Sequence, residues 1–416
     1  MAACGLDFGT SNTTLGIMSP GGPSLVALED GHDTVPSAVF FDGAAEPRIG
    51  RAAIGLYVDG HGGRLLRSLK SALGSALIDE ATQVGRRRLR FSEVIGVFLG
   101  LVKARAEASS GHAFDRVVLG RPVFFVDDDD AGNRKAEEAL RRAAEAIGFA
   151  DVSFQYEPLA AALDYEQQVT REEIALIADI GGGTSDFSIV RIGPGRQGRA
   201  DRAADILAND GVRVGGTDFD RLLSLGALMP LLGHGSAMRR AGRDVPTGYF
   251  HDLATWSAIN RLYAPKVLRE VHEIRREAAA PGLVARLAKV VEEERGHTLA
   301  MQVEAAKIDL SAADVVTVDL GWLEPGLATD VDRARLVALT ASLAERIAAR
   351  IDICLGQAGL PAEAIDAVFM TGGSTRLAHV RRAIVEAVPR ARVVEGDTFG
   401  SVGTGLAIEA ARRYGR

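Results

Sequence analysis

The chain has 416 residues, enough for more than one core, because single cores rarely keep growing past ~250–300 residues. Hydrophobic residues make up 47% and charged residues 25%, the balance of a folded, soluble protein. The net charge of −7 argues against nucleic-acid or anionic-membrane binding, which needs a basic face, and only 6% of residues are aromatic, which leaves little surface for base stacking. Cys4 and Cys354 have neither metal-site nor disulfide spacing. The first residues lack a basic region and apolar stretch, and no apolar run approaches the ~20 residues that span a bilayer. A monomeric protein of a reducing, cytoplasmic compartment is the expectation.

The first element in chain order is a strand–turn–strand, Leu6-Asp7-Phe8-Gly9-Thr10-Ser11-Asn12-Thr13-Thr14-Leu15. Arg116–Gly120 reads as a strand and Ala131–Ile147 as an amphipathic helix. The acids Asp127–Asp130 before it suit a helix N-terminus. A second strand–turn–strand, Ala178-Asp179-Ile180-Gly181-Gly182-Gly183-Thr184-Ser185-Asp186-Phe187-Ser188-Ile189, repeats the first with Asp179 in register with Asp7. Both read as β-hairpins. From Ala254 to Leu310 the pattern is mainly helical, with breaks near Pro265 and at Pro281-Gly282. Ala367–Met370 is a strand, and His379–Val388 and Gly403–Ala411 are helices. Alternating strands and helices with one internal repeat predict a duplicated α/β architecture. The loose glycine cluster Gly400–Gly405 reads as a site of close helix packing.

Glycine turns let backbone N–H groups approach phosphate oxygens. Gly181-Gly182-Gly183-Thr184 fits this use, and Gly9-Thr10-Ser11-Asn12 adds hydroxyl donors. A carboxylate precedes each turn, which suggests Mg²⁺, an ion that bridges protein carboxylates to substrate phosphates. Either turn alone reads more simply as a tight hairpin; the duplication with Asp in register favours phosphate. Two further Gly turns, Val214-Gly215-Gly216-Thr217-Asp218-Phe219-Asp220 and Thr371-Gly372-Gly373-Ser374-Thr375-Arg376, suggest several loops converging on one extended ligand. No Gly-Lys pair occurs, which excludes a GxxxxGK[ST] loop.

In order, these four motifs resemble the nucleotide-site motifs of the DnaK-type heat-shock chaperones, and Tyr156-Glu157-Pro158-Leu159-Ala160-Ala161-Ala162 resembles that family's interlobe helix. The matches run from residue 5 to about 410. The resemblance implies an actin-like ATPase fold of two duplicated lobes, each with a core and an outer subdomain around a nucleotide cleft. The expected boundaries are 1–170 for lobe I, with an outer subdomain at 38–112 and a returning helix at 395–416. Lobe II is expected at 171–394, with an outer subdomain at 217–303. The implied activity is ATP hydrolysis with slow turnover. Asp7, Glu157 and Asp179 would hold Mg²⁺, mostly through water. Gly9, Thr10, Ser11, Asn12, Gly181, Gly182, Gly183, Thr184, Gly215 and Gly216 would hold phosphates. Lys70 would orient the attacking water; a solvated helix lysine is the competing reading. Asp186 would bind K⁺ or cap its hairpin. Glu304, Lys307 and Ser311, spaced to face one side of a helix, would contact adenosine, or else form an exposed ion pair and polar face. Gly372, Gly373, Ser374 and Arg376 would complete that side.

The pattern departs from the family at Ile308, where a basic residue is common, and at Phe399, where an acid is common. Arg67–Gly74, Gly120–Val123 and Trp256–Lys266 resemble the shorter YegD-like branch. Because the sequence stops at Arg416, the β-rich peptide-binding domain is expected to be absent. Trp256 and Tyr263 read as subdomain core. An adenine nucleotide is the expected partner, and a protein client or co-chaperone is a candidate one. Beside a nucleotide-driven switch, a small-molecule kinase and an actin-like filament subunit remain open readings, since fold alone does not choose among them.

Overall fold

The computed structural model describes residues 2–43, 46–85, 87–197, 202–240 and 242–415. They form two compact units, one of Met1–Gly216 with Glu345–Arg416 and one of Thr217–Ala344. Among the described residues no helix is long and apolar enough to cross a membrane.

The larger unit contains the repeat. Ala2–Phe8 and Asn12–Ser19 pair antiparallel, as do Glu173–Ile180 and Ser185–Ile192. Each hairpin then gains parallel strands on one side and an antiparallel strand on the other. The first sheet runs Asp151–Tyr156, Phe114–Arg121, Ala2–Phe8, Asn12–Ser19, Gly22–Leu25. The second runs Arg392–Glu395, Ala367–Thr371, Glu173–Ile180, Ser185–Ile192, Ile206–Val212. The order and the sense of pairing are the same, so the sequence repeat extends to whole sheets. The central strands are buried on both faces, and they accordingly read as apolar runs such as Ile174–Ile180 rather than as alternating residues.

Two helices join the sheets into one core. Glu157–Glu166 starts with Pro158 in its first turn, where the missing N–H is harmless and φ is already helical. Ser401–Tyr414 lies against it and against the first sheet. Val118, Leu159, Ala160, Ile177, Phe369 and Leu406 from both sheets and both helices form one buried cluster. The glycine cluster permits this approach: a Cβ on Gly405 would run into the Ala160 carbonyl. Asp130–Ala146 is capped by Asp129, whose side chain accepts from the Gly132 amide at 2.9 Å.

In the smaller unit, Pro265–Glu277 and Pro281–Glu292 each begin at a proline, which accounts for the two breaks read in the helical pattern. Trp256 packs with Ile259 and Ala300, with Tyr263 alongside, as subdomain core. A two-stranded ribbon, Val315–Asp319 with Ala328–Asp332, follows.

Gly405→Ala is expected to destabilise the larger unit by about 1–3 kcal/mol, the usual cost of overpacking. Urea denaturation of the two proteins measures it; an unchanged midpoint would show that the helices do not depend on this contact.

Candidate functional site

The two hairpin turns meet. A Cβ on Gly182 would overlap Ser11, and one on Gly183 would lie 2.7 Å from Thr10 Oγ1. The second turn is closed by the Gly181 amide donating to the Thr184 carbonyl at 2.9 Å. The Gly216 amide donates to the Gly181 carbonyl at 2.9 Å, while a Cβ on Gly215 would strike the backbone of Gly182 and Gly183. Ser374 Oγ donates to the same Gly181 carbonyl at 3.3 Å. Gly372 has φ +83°, a left-handed value open to glycine, and a Cβ there would strike the Ile180 backbone. All four glycine motifs are therefore packed around residues 180–184. The first turn is steadied from behind by Ser37, whose hydroxyl donates to the Gly9 carbonyl at 2.7 Å and pairs with Thr13 at 2.9 Å.

Behind the turns lie four carboxylates and one lysine. Lys70 is 6% exposed and its ammonium is ion-paired with Glu157, itself 6% exposed. This excludes the solvated-lysine reading. Lys70 sits on a short 3₁₀ turn, Leu69–Ala72, entered through Ser68 at φ +56°. A non-glycine residue there stores strain of order 1–3 kcal/mol, and the turn is held by Ser71, whose hydroxyl donates to the Ser68 carbonyl at 2.6 Å, and by the buried Leu69 and Leu73. Asp7 and Asp179 are each the last residue but one of their strands, and Asp186 is cross-strand from Asp179. Asp186 Oδ1 accepts from the Val123 amide at 2.6 Å, a partner beyond its own hairpin.

Burial, then repulsion from Glu157, raises the Asp7 pKa to about 7 and the Asp186 pKa to about 7. Burial and the charges of Glu157, Asp186 and Asp7 carry Asp179 well above its ordinary value. Burial lowers the Lys70 pKa, but Glu157 and Asp7 more than offset this and the net shift is upward. Among the described residues no three His, Cys, Asp or Glu side chains converge as direct ligands of one ion. Excess buried carboxylate without a direct cage fits a hydrated divalent cation, which keeps most of its own waters. The glycine contacts bring the turn backbone and the Thr10 and Ser11 hydroxyls close together, a donor set that fits phosphate.

The remaining candidates lie elsewhere. Arg376 is exposed, with its guanidinium 3.3 Å from the Thr398 hydroxyl; Phe399, 44% exposed, borders Gly373. Glu304, Lys307 and Ser311 belong to the smaller unit. There the helix Gly296–Asp309 ends before Ser311, whose hydroxyl turns back to the Ile308 carbonyl at 2.6 Å; helical spacing does not extend to it. Lys307 is buried and pairs with Asp220 at 2.7 Å, which corrects the exposed-pair reading. Ile308 is 56% exposed.

Sequence reasoning did not single out Ser37 or Arg213. Arg213 stands two residues before Gly215, and its guanidinium donates to the Ser71 carbonyl at 2.7 Å. Its only sequence signal is a cation next to a Gly-Gly motif.

The family model described as Hsp70 protein matches residues 3–92, 69–225 and 290–415, most of the chain. The chain belongs to the Hsp70 family, has the actin-like ATPase fold and contains a nucleotide-binding, chaperone-type ATPase domain.

A carboxyl with a raised folded pKa keeps its proton where the unfolded chain has lost it. Its stabilising effect is full below the ordinary value near 3.8 and is lost as pH rises to about 7. The nucleotide-free protein should thus melt at lower temperature as pH rises from about 5 to 7.5, and Asp7→Asn should flatten the slope. Scanning fluorimetry across pH tests this; identical slopes would remove Asp7 from the cause.

Proposed function

We propose that this Hsp70-family chain is a Mg²⁺-dependent ATPase that acts as a nucleotide-driven conformational switch. The observation that carries the reading is the buried Lys70–Glu157 pair directly behind two facing phosphate turns. Thr10, Ser11 and the amides of Gly182–Thr184, in the turn that the Gly181 amide closes, bind and orient the phosphates. Asp7, Glu157 and Asp179 would hold Mg²⁺, and the ion, when bound, would neutralise charge on the phosphate oxygens. Lys70 donates toward the attacking water and the terminal phosphate, as a compact cation in a site of low dielectric. Leu73, Pro122 and Phe125 line one small cavity together with Thr10, Lys70, Gly183 and Thr184.

Loss of the terminal phosphate removes the anion that Thr10, Thr184 and Lys70 grip in common. The loops are then released from one another, which is how nucleotide state biases conformation in switches of this kind. Glu304, Lys307, Ser311, Gly372, Gly373, Ser374 and Arg376 are the proposed adenosine contacts. The YegD-like branch is the proposed placement within the family, on Arg67–Gly74, Gly120–Val123 and Trp256–Lys266, and a protein client or co-chaperone is the proposed partner.

Lys70→Ala is expected to slow single-turnover ATP hydrolysis by about 100-fold or more, the usual loss for one transition-state donor, while ATP affinity changes far less. Asp179→Asn should weaken Mg²⁺-dependent binding or turnover. Melting temperatures are recorded in parallel, since removing Lys70 leaves buried carboxylates unpaired. A Lys70→Ala protein that folds and turns over at the wild-type rate would sink the assignment.

A further inference from the structure

One narrow cavity joins the phosphate turns to the Lys70 turn. Thr10, Gly183, Thr184 and Lys70 line it, and Arg213 lines it as well. Its volume is about 20 Å³, against the ~10–15 Å³ that one water needs. It has room for a water or a single group of that scale, not for a ribose or a base. Placed between two phosphate turns and a lysine, it suits one terminal phosphate oxygen or the water that attacks the phosphate.

Arg213 is held there by both ends. Its backbone amide donates to Asp127 Oδ1 at 2.8 Å, and one guanidinium nitrogen donates to the Ser71 carbonyl at 2.7 Å. Asp127 Oδ2 is directed elsewhere, 3.8 Å from Arg346. Among the described residues the Arg213 guanidinium has no carboxylate within ion-pair distance. A half-buried guanidinium with a neutral carbonyl as its partner retains four of its five N–H donors and its full charge for another acceptor. Lys70, by contrast, is already matched to Glu157. Arginine presents a planar fork suited to two oxygens of one phosphate, fixed before the ligand arrives.

We propose that Arg213 is a second catalytic cation, a built-in arginine that grips the terminal phosphate of ATP and stabilises the charge that develops during hydrolysis. This rests on the ATPase reading given above. The water oxygen forms a new bond to the terminal phosphorus and the bridging P–O bond breaks, with its electron pair staying on ADP. Of the water's two protons, one remains on the released phosphate and the other goes to solvent. Arg213 neither gains nor loses a proton; its contribution is charge and position.

The test compares wild type with Arg213→Ala, Arg213→Gln and Arg213→Lys, using Mg²⁺ with ATP or ADP. Affinities and single-turnover rates are measured, with melting temperature as a check on folding. Arg213→Ala should cut the hydrolysis rate about 100-fold and lower the ratio of ATP to ADP affinity about tenfold, with ADP affinity unchanged. Arg213→Gln, which can still donate to the Ser71 carbonyl, should be as impaired as Arg213→Ala; Arg213→Lys should recover part of the rate. If Arg213→Gln behaves as wild type, Arg213 only positions the Lys70 turn and the proposal is overturned. Equal loss of ATP and ADP affinity, or no change in rate and affinity ratio, overturns it too. A wild-type protein that binds neither nucleotide overturns the ATPase reading itself, a result separate from any effect of the Arg213 variants.

Discussion

The site is governed by the cost of keeping Glu157, Asp179 and Asp186 buried and Asp7 half-buried beside them, with Lys70 as their close cation among the described residues. An unpaired charge in the interior is expensive, so groups that lack a partner hold a proton instead. Burial draws Asp7 and Asp186 toward that state, raising the pKa of each to about 7, Asp186 even though it accepts from the Val123 amide. The ligand-free protein therefore carries a standing electrostatic deficit. A divalent cation bound there, as proposed, would relieve it, and the same deficit that weakens the empty fold would strengthen the affinity for that cation. The placing of the acids follows from the paired sheets: equal strand order and equal turn position put Asp7 and Asp179 at equivalent strand ends.

Glycine at the turns is a second constraint of the same kind. Residues 180–184 are approached by Thr10 and Ser11, by Gly215–Gly216 and by Gly372–Ser374. Packing this many backbone segments around five residues leaves no space for side chains, and it also exposes peptide N–H groups to whatever enters. One requirement serves both ends, because close loop packing and phosphate binding call for the same residue.

The hairpins were legible in sequence because apolar runs broken by glycine are a local signal, and the duplicated Asp made the repeat visible. The helix breaks at Pro265 and Pro281 were legible for the same reason. Lys70 was not settled by its surroundings: its partner Glu157 is 87 residues away, and a 3₁₀ turn gives no periodicity to read. Lys307 poses the same problem, since its partner Asp220 lies on a distant segment, and Ser311 fell outside its helix because the last turn ended at Asp309. Arg213 was hidden by abundance. In a chain so rich in arginine, one more carries no signal until the fold brings it beside Ser71.

That abundance gives the lysines their meaning. The sequence has 48 basic residues, and lysine is rare among them, yet Lys70 and Lys307 are both buried against carboxylates. A guanidinium holds a fixed fork and loses little by staying in one place, whereas an ammonium on a flexible stem can change partners with small displacements. Under the ATPase reading, Lys70 must do the latter, leaving part of its bond with Glu157 for a phosphate oxygen or a water. Arg213, anchored through Ser71, has no such exchange to make. The two cations of the cavity then divide the work by chemistry: the lysine answers the change of ligand, and the arginine defines where that ligand's terminal oxygens must be.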